Sequence, residues 1–208
     1  HRFNIYLDGQ FAFGADEDLV VEHRLVVGKL LGTSDVEKLL FESEVGKLIE
    51  RMYRLFSIRQ RSEQEVRRYF KNLSFKRKVK DQEEISEQAI ELLINKLKQK
   101  RLLSDEEFAR TWVQSRGKKY GVNRIKQELY KKGIDREIIE EVIGGQRMEN
   151  SEQVARKLID KKLERWKNLP PMELKKKAFD FLFRRGFEYV QVKSIVENTL
   201  RKRYNILR

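Results

Sequence analysis

The chain contains no cysteine in 208 residues, which excludes disulfides, thiolate metal sites and a cysteine nucleophile, and fits a reducing cytoplasm. Its two prolines are adjacent, Pro170 and Pro171, so nowhere else is a helix interior barred by proline and a nearly all-helical body is expected. The two histidines, His1 and His23, have no partner at ligand spacing, so no metal is expected. Gly28-Lys29 and Gly46-Lys47 lack the upstream glycine and following hydroxyl of a phosphate-cradling loop, so neither is a nucleotide site and no cofactor is expected. No apolar run approaches the roughly 20 residues of a membrane span, and no stretch has a signal peptide's layout, so no membrane association is expected. The acidic neighbours Glu83-Glu84, Glu106-Glu107 and Glu140-Glu141 lie on polar faces or at helix N-termini, where capping and solvation account for them. No catalytic residue emerges, and the chain reads as a non-enzyme.

What is abundant is charge. Asp, Glu, Lys and Arg make up 38% of the chain, against a usual figure of about 25%, as expected of small helical units that bury only one stripe of each helix. The signs are unevenly placed. Residues 1–42 carry 4 Lys/Arg against 8 Asp/Glu, and residues 43–208 carry 42 against 25. That excess of 17 positive charges in the second stretch favours nucleic acid, a nucleoprotein complex or an acidic protein face. Charge alone also leaves open a soluble basic helical protein that has no specific polyanion partner.

One pattern is written three times. Aligning EVRRYFKNLSF, RIKQELYKKGI and KAFDFLFRRGF superposes Val66, Ile125 and Ala178, then Phe70, Leu129 and Leu182, then Ser74, Gly133 and Gly186, then Phe75, Ile134 and Phe187. Each copy reads as an amphipathic helix, a small residue, a large apolar residue and a further helix. Such units stack into an extended surface suited to gripping something long. The spacing is 59 residues from Phe75 to Ile134 and 53 from Ile134 to Phe187, and KRKVKDQEE, residues 76–84, is the expected insertion. The resulting division is an N-terminal β-hairpin and helical module over 1–42, helical repeat 1 over 43–103, repeat 2 over 104–149 and repeat 3 over 150–208: a mainly α fold of three tandem three-helix repeats behind a small hairpin module.

In detail, FNIYLDGQFAF alternates as two strands around Asp8-Gly9. Phe3, Ile5, Phe11 and Phe13 share one face only if the loop holds an odd number of residues, so a three-residue loop is expected, with the aromatic face on a short helix starting near Asp16. Ser34 with Glu37, Ser62 with Glu65 and Ser104 with Glu107 spell capping boxes. The first opens a helical region expected to break or bend before the stripe Val45, Leu48, Ile49, Met52, Tyr53 and Phe56. Buried stripes are expected at Ile90, Leu93, Ile94 and Leu97, at Phe108, Ala109, Trp112 and Val113, at Ile139, Val142 and Ile143, and at Val192, Ile195 and Val196. Linkers are expected from Gly144-Gly145 to Asn150 and at Pro170-Pro171.

The candidate contact residues are basic. Arg116, Lys118, Lys119, Arg124 and Lys126 surround Tyr120 at a helix-loop-helix joint of repeat 2. Lys175, Lys176, Lys177, Arg184 and Arg185 form a second group, followed by Arg201, Lys202 and Arg203. They are either phosphate or partner contacts, or a solvated face with helix-end cations matching the macrodipole. Trp112, Trp166, Phe181 and Phe183 fall in or beside helical stripes and are expected to pack.

NIYLDGQFAFGADEDL, RSEQEVRRYF, KRLLSDEEFARTWVQSR, IKQELYKKGI and FLFRRGF, in that order, resemble the RecX family of bacterial regulatory proteins across most of the chain. The chain departs from that family at residues 76–84, at Asn72-Leu73-Ser74, where the family tends to have a basic residue and glycine, and in its hairpin, which shorter relatives lack. The resemblance implies three tandem three-helix units, no catalytic residues, and a modulator of the RecA recombinase. Such a protein lodges in the groove of the RecA filament on single-stranded DNA and damps strand exchange, ATPase and coprotease activities, and with them the SOS response. A cytoplasmic monomer is expected, with single- or double-stranded DNA as a further partner. The alternative is a basic helical protein that binds DNA directly, although no repeat shows a compact set of Arg, Asn and Gln at base-reading spacing.

Overall fold

The computed structural model describes residues 2–145 and 151–204, and divides the chain into two compact units, His1–Ser104 and Asp105–Arg208. The first unit holds the hairpin module and repeat 1; the second holds repeats 2 and 3.

The hairpin is β1 (Arg2–Leu7) and β2 (Gln10–Asp16), antiparallel. Leu7 pairs with Gln10, so the loop is only Asp8-Gly9, both at positive φ (47° and 83°), the geometry of a tight primed turn. The expected odd residue is present, but inside β2: Ile5 pairs with Phe13 and Tyr6 with Phe11, which leaves Ala12 as a β-bulge. The bulge reverses the parity. Phe13 is buried with Ala15, Leu19 and Leu39, and Ile5 packs beside them, whereas Phe11 turns to the opposite face and meets Tyr6 edge-on at 5.9 Å. The short helix α1 (Glu17–Glu22) does start at Asp16, whose carboxylate accepts from the Leu19 amide at 2.8 Å.

Helix α2 (Thr33–Phe56) runs unbroken for 24 residues, so the expected break is absent and the 42/43 boundary lies inside a helix. The apolar phase changes because one helix serves two cores. Leu39 faces the hairpin, and Ser43 donates to the Gly14 carbonyl at 2.6 Å. Val45, Leu48, Ile49 and Met52 face repeat 1. The start also differs from the Ser34/Glu37 box. Gly32 is the cap residue, and the Asp35 carboxylate accepts from its amide at 2.9 Å.

Repeat 1 closes with α3 (Glu63–Lys78) and α4 (Glu87–Gln99) around Val66, Phe70, Ile90, Leu93, Ile94 and Leu97. Ser62 caps α3 as the sequence predicts, accepting from the Glu65 amide. The corner expected at Ser74-Phe75 is displaced. Helix α3 continues to Lys78 and Phe75 stands 66% exposed, while Ile85, beyond the insertion, takes the buried anchor position. The Ser74 hydroxyl accepts from the Ile85 amide at 3.0 Å.

In the second unit, repeat 2 is α5 (Asp105–Gly117), α6 (Val122–Lys131) and α7 (Arg136–Gly145), packed around Phe108, Ala109, Val113, Ile125, Leu129, Ile134, Ile139 and Val142. Gly144 and Gly145 still belong to α7; the rest of that expected linker, and His1, lie outside the described residues. Repeat 3 is α8 (Ser151–Leu163), α9 (Pro171–Phe183) and α10 (Tyr189–Tyr204). Its core is Ala155, Ile159, Ala178, Leu182, Phe187, Val192, Ile195 and Val196. Pro170 and Pro171 open α9, where a missing N–H loses no helical bond. Among the described residues, no helix is long and apolar enough to cross a membrane.

Candidate partner-binding surface

Repeats 2 and 3 meet at two glycines. The Gly121 amide donates to the Arg185 carbonyl at 2.8 Å and the Asn123 amide to the Gly186 carbonyl at 3.2 Å, so the corner of repeat 3 caps the first turn of α6 in place of a side chain. The approach leaves no room for a Cβ. One on Gly121 would lie 2.3 Å from the Gly186 oxygen, and one on Gly186, itself at φ +77°, would lie 2.3 Å from the Arg124 nitrogen.

Cations and rings stack around this joint. Arg185 lies over Phe181 at 4.6 Å and Tyr120 at 5.6 Å, and donates to the Lys119 carbonyl at 2.9 Å. Arg116 also lies over Tyr120, at 4.3 Å. Glu128 gathers the neighbours, accepting from Arg116 at 2.6 and 2.8 Å, from Arg124 at 3.1 Å and from the Trp112 indole at 3.1 Å. Burial alone would raise the Glu128 carboxyl, but the hydrogen bonds from Arg116 and Arg124 outweigh it and hold it below the ordinary carboxylate range. The same bond to Glu128 raises the Arg116 guanidinium.

The structure therefore sorts the basic candidates. Arg116 and Arg185 are committed to the joint, and Lys126 to Glu140 at 2.6 Å. Arg124 and Arg184 are exposed, each with its Nε engaged, on Glu128 and on the Asp180 carbonyl respectively. Lys118, Lys119, Lys175, Lys176, Lys177, Arg201 and Lys202 present exposed side chains, and none forms a salt bridge among the described residues. Arg203 reaches back to the Leu163 carbonyl. Trp112, Trp166 and Phe181 pack as expected, but Phe183 is 59% exposed. Sequence reasoning passed over Gly121, Asn123 and Glu128. The one local signal was the i,i+4 pair Arg124–Glu128.

His23 also differs from expectation. The fold brings Glu42 to 3.1 Å from its Nε2, with Glu22 close by. Lys96 lies 3.2 Å from Glu22 and 3.6 Å from Glu42, so an ammonium supplies the positive charge of this cluster.

Comparison with known proteins follows the same architecture. Residues 1–31 match the model of the regulatory protein RecX N-terminal domain, 104–143 that of the second RecX three-helix domain and 150–196 that of the third. Regulatory protein RecX of Bacillus velezensis is 32% identical over 200 residues, covering 95% of this chain and 72% of that protein. The Bacillus subtilis protein of the same name is 33% identical over 190 residues, covering 90% and 68%. A crystal structure of regulatory protein RecX superposes with a TM-score of 0.73 at 26% identity, covering 94% of each chain. That of RecX from Lactobacillus salivarius gives 0.58 at 24% identity over 74% of this chain and 95% of that one, a likeness of fold. With its hairpin module and its last two three-helix units matched in kind and in order, and with relatives about 30% identical along most of its length, the chain belongs to the RecX family of regulatory proteins.

Proposed function

We propose that this protein is a non-enzymatic regulator of the RecA recombinase, binding its filament on single-stranded DNA and modulating, mostly inhibiting, its recombinase, ATPase and coprotease activities. It thereby regulates DNA repair, homologous recombination and the SOS response in the cytoplasm. The observation that carries this reading is membership of a family of regulatory proteins. The charge distribution supports it, since the excess of 17 positive charges beyond residue 42 suits a nucleoprotein polymer. Tandem units also support it, because several weak contacts along one polymer add through effective concentration.

The test is DNA-dependent ATP hydrolysis by RecA preassembled on single-stranded DNA, with increasing protein at fixed salt. A fall in rate at substoichiometric amounts is expected, too few molecules being present to mask the DNA. A second reading, direct DNA binding, is favoured by the exposed lysines that make no ion pair among the described residues. It predicts steeply salt-dependent affinity for naked DNA and inhibition only when DNA is saturated.

A further inference from the structure

The joint of the second unit opens into a groove of about 560 Å³. Arg124 and Lys126 line it from α6, Phe183 and Arg184 from the end of α9, and Tyr189 from the start of α10, over the backbone of Gly186. Among the described residues no carboxylate lines it. By contrast, the groove beside the hairpin contains Glu44, Glu83 and Glu84, and the one in repeat 3 contains Asp160 and Glu164. Of the ten described helices, α6 and α10 are the two with no acidic side chain in the first turn, and both begin here; Glu188, one residue ahead of α10, is outside the lining.

Two chemistries share this wall. Among the described residues Arg124 and Arg184 each engage only Nε, which leaves two terminal nitrogens apiece for the bidentate recognition that guanidinium offers phosphate. Phe183 and Tyr189, the latter tilted against Phe179 at 6.1 Å, are 59% and 60% exposed, and such aromatic rings stack on unpaired bases. An acidic peptide would answer the guanidinium groups and leave the rings unused, and a duplex keeps its bases stacked inside. We infer that this groove binds a short stretch of single-stranded nucleic acid, with Arg124 and Arg184 on its phosphates and Tyr189 and Phe183 against its bases. The inference rests on the filament reading above and gives the regulator a hold on the strand itself.

The test uses the full chain, a fluorescent oligothymidine of about 12 nucleotides, a duplex of equal length and a polyglutamate competitor. Arg184→Gln is expected to weaken oligothymidine binding roughly fivefold and to flatten its logarithmic salt dependence by about 0.7. Tyr189→Leu is expected to weaken it roughly fivefold with the salt dependence unchanged. Photocrosslinking of 5-bromodeoxyuridine-substituted oligomer should label Tyr189 or Phe183. Unaltered binding in both variants at wild-type melting temperature, crosslinks confined to residues 1–104, or polyglutamate competing as well as oligothymidine would each overturn the site. Oligomer binding that responds to the variants while RecA hydrolysis ignores the wild-type protein would uphold the groove and refute the filament reading. Unaltered oligomer binding in variants that still suppress hydrolysis would do the reverse.

Discussion

Repeat 1 and the two later repeats reach the same packing by different corners. In repeats 2 and 3 a glycine at φ +77° stops the helix, with Ile134 donating to the Leu129 carbonyl and Phe187 to that of Leu182, and the next residue is the buried anchor. In repeat 1 the identical stop lies seven residues further on, where Asp81 takes φ +51° and Gln82 donates to the Arg77 carbonyl. The anchor then returns as Ile85. What repeats is the anchor with the helix start behind it, Ile85 before α4, Ile134 before α7 and Phe187 before α10, while the helix stop is free to move. The same stop occurs at Arg24 and Arg101, so a residue other than glycine can hold it, at some cost in strain, when the corner faces water. At Gly186 it faces the backbone of α6, and there a side chain has no place.

The largest effect should come from that contrast. Gly186→Val adds left-handed strain to a backbone clash and should cost about 4 kcal/mol in urea unfolding, whereas Gly144→Ala, at a helical site with nothing within 4 Å, should stabilise by about 0.5 kcal/mol. Equal effects would mean that the joint yields. Next, the displaced anchor predicts about 3 kcal/mol for Ile85→Ala and a change within about 0.5 kcal/mol for Phe75→Ala. The reverse order would restore the corner to Ser74-Phe75.

These two comparisons also mark what could be read before folding. Helix stripes such as Ile90, Leu93, Ile94 and Leu97 depend on local period alone, and they appear in the structure as the sequence predicts. Parity revealed that one odd residue was needed in the hairpin but not whether the loop or β2 held it. Ser34/Glu37 and Gly32/Asp35 are overlapping solutions to one problem, and only the packed helix selects between them. The basic candidates were visible as a composition, but their division into committed and exposed groups was not. That division depends on Glu128 meeting Trp112 and Arg116 across two helices and on Arg185 reaching Lys119, 66 residues away.

Both repeats tie their helices with a charged knot, repeat 1 through Arg67 with Glu91 and Lys98 with Glu63 between α3 and α4, and repeat 2 through Glu128, which Arg116 and the Trp112 indole reach from α5. Glu128→Gln should cost about 1.5 kcal/mol at neutral pH. Because the folded carboxyl titrates below its ordinary value of 4.5, its contribution is complete above that pH and fades as pH falls through the folded value. The stability gap between wild type and variant should therefore close on acidification below about pH 4.5. A gap constant from pH 7 to pH 3 would show that the bonds, not the charge, hold the knot.

The smallest effect tests why repeat 1 stops its helix without glycine. Asp81 holds a left-handed backbone at φ +51°, a conformation that strains most side chains but that Asp tolerates better than most. Asp81→Gly removes the strain and at the same time loosens the unfolded chain, two effects of opposite sign. If the stop is made by the backbone bonds at Lys78 and Arg77, relief of strain should prevail and the variant should gain about 0.5 kcal/mol. A loss of similar size would mean that the Asp81 side chain itself supports the turn, and the corner of repeat 1 would then differ from the other two in mechanism as well as in place.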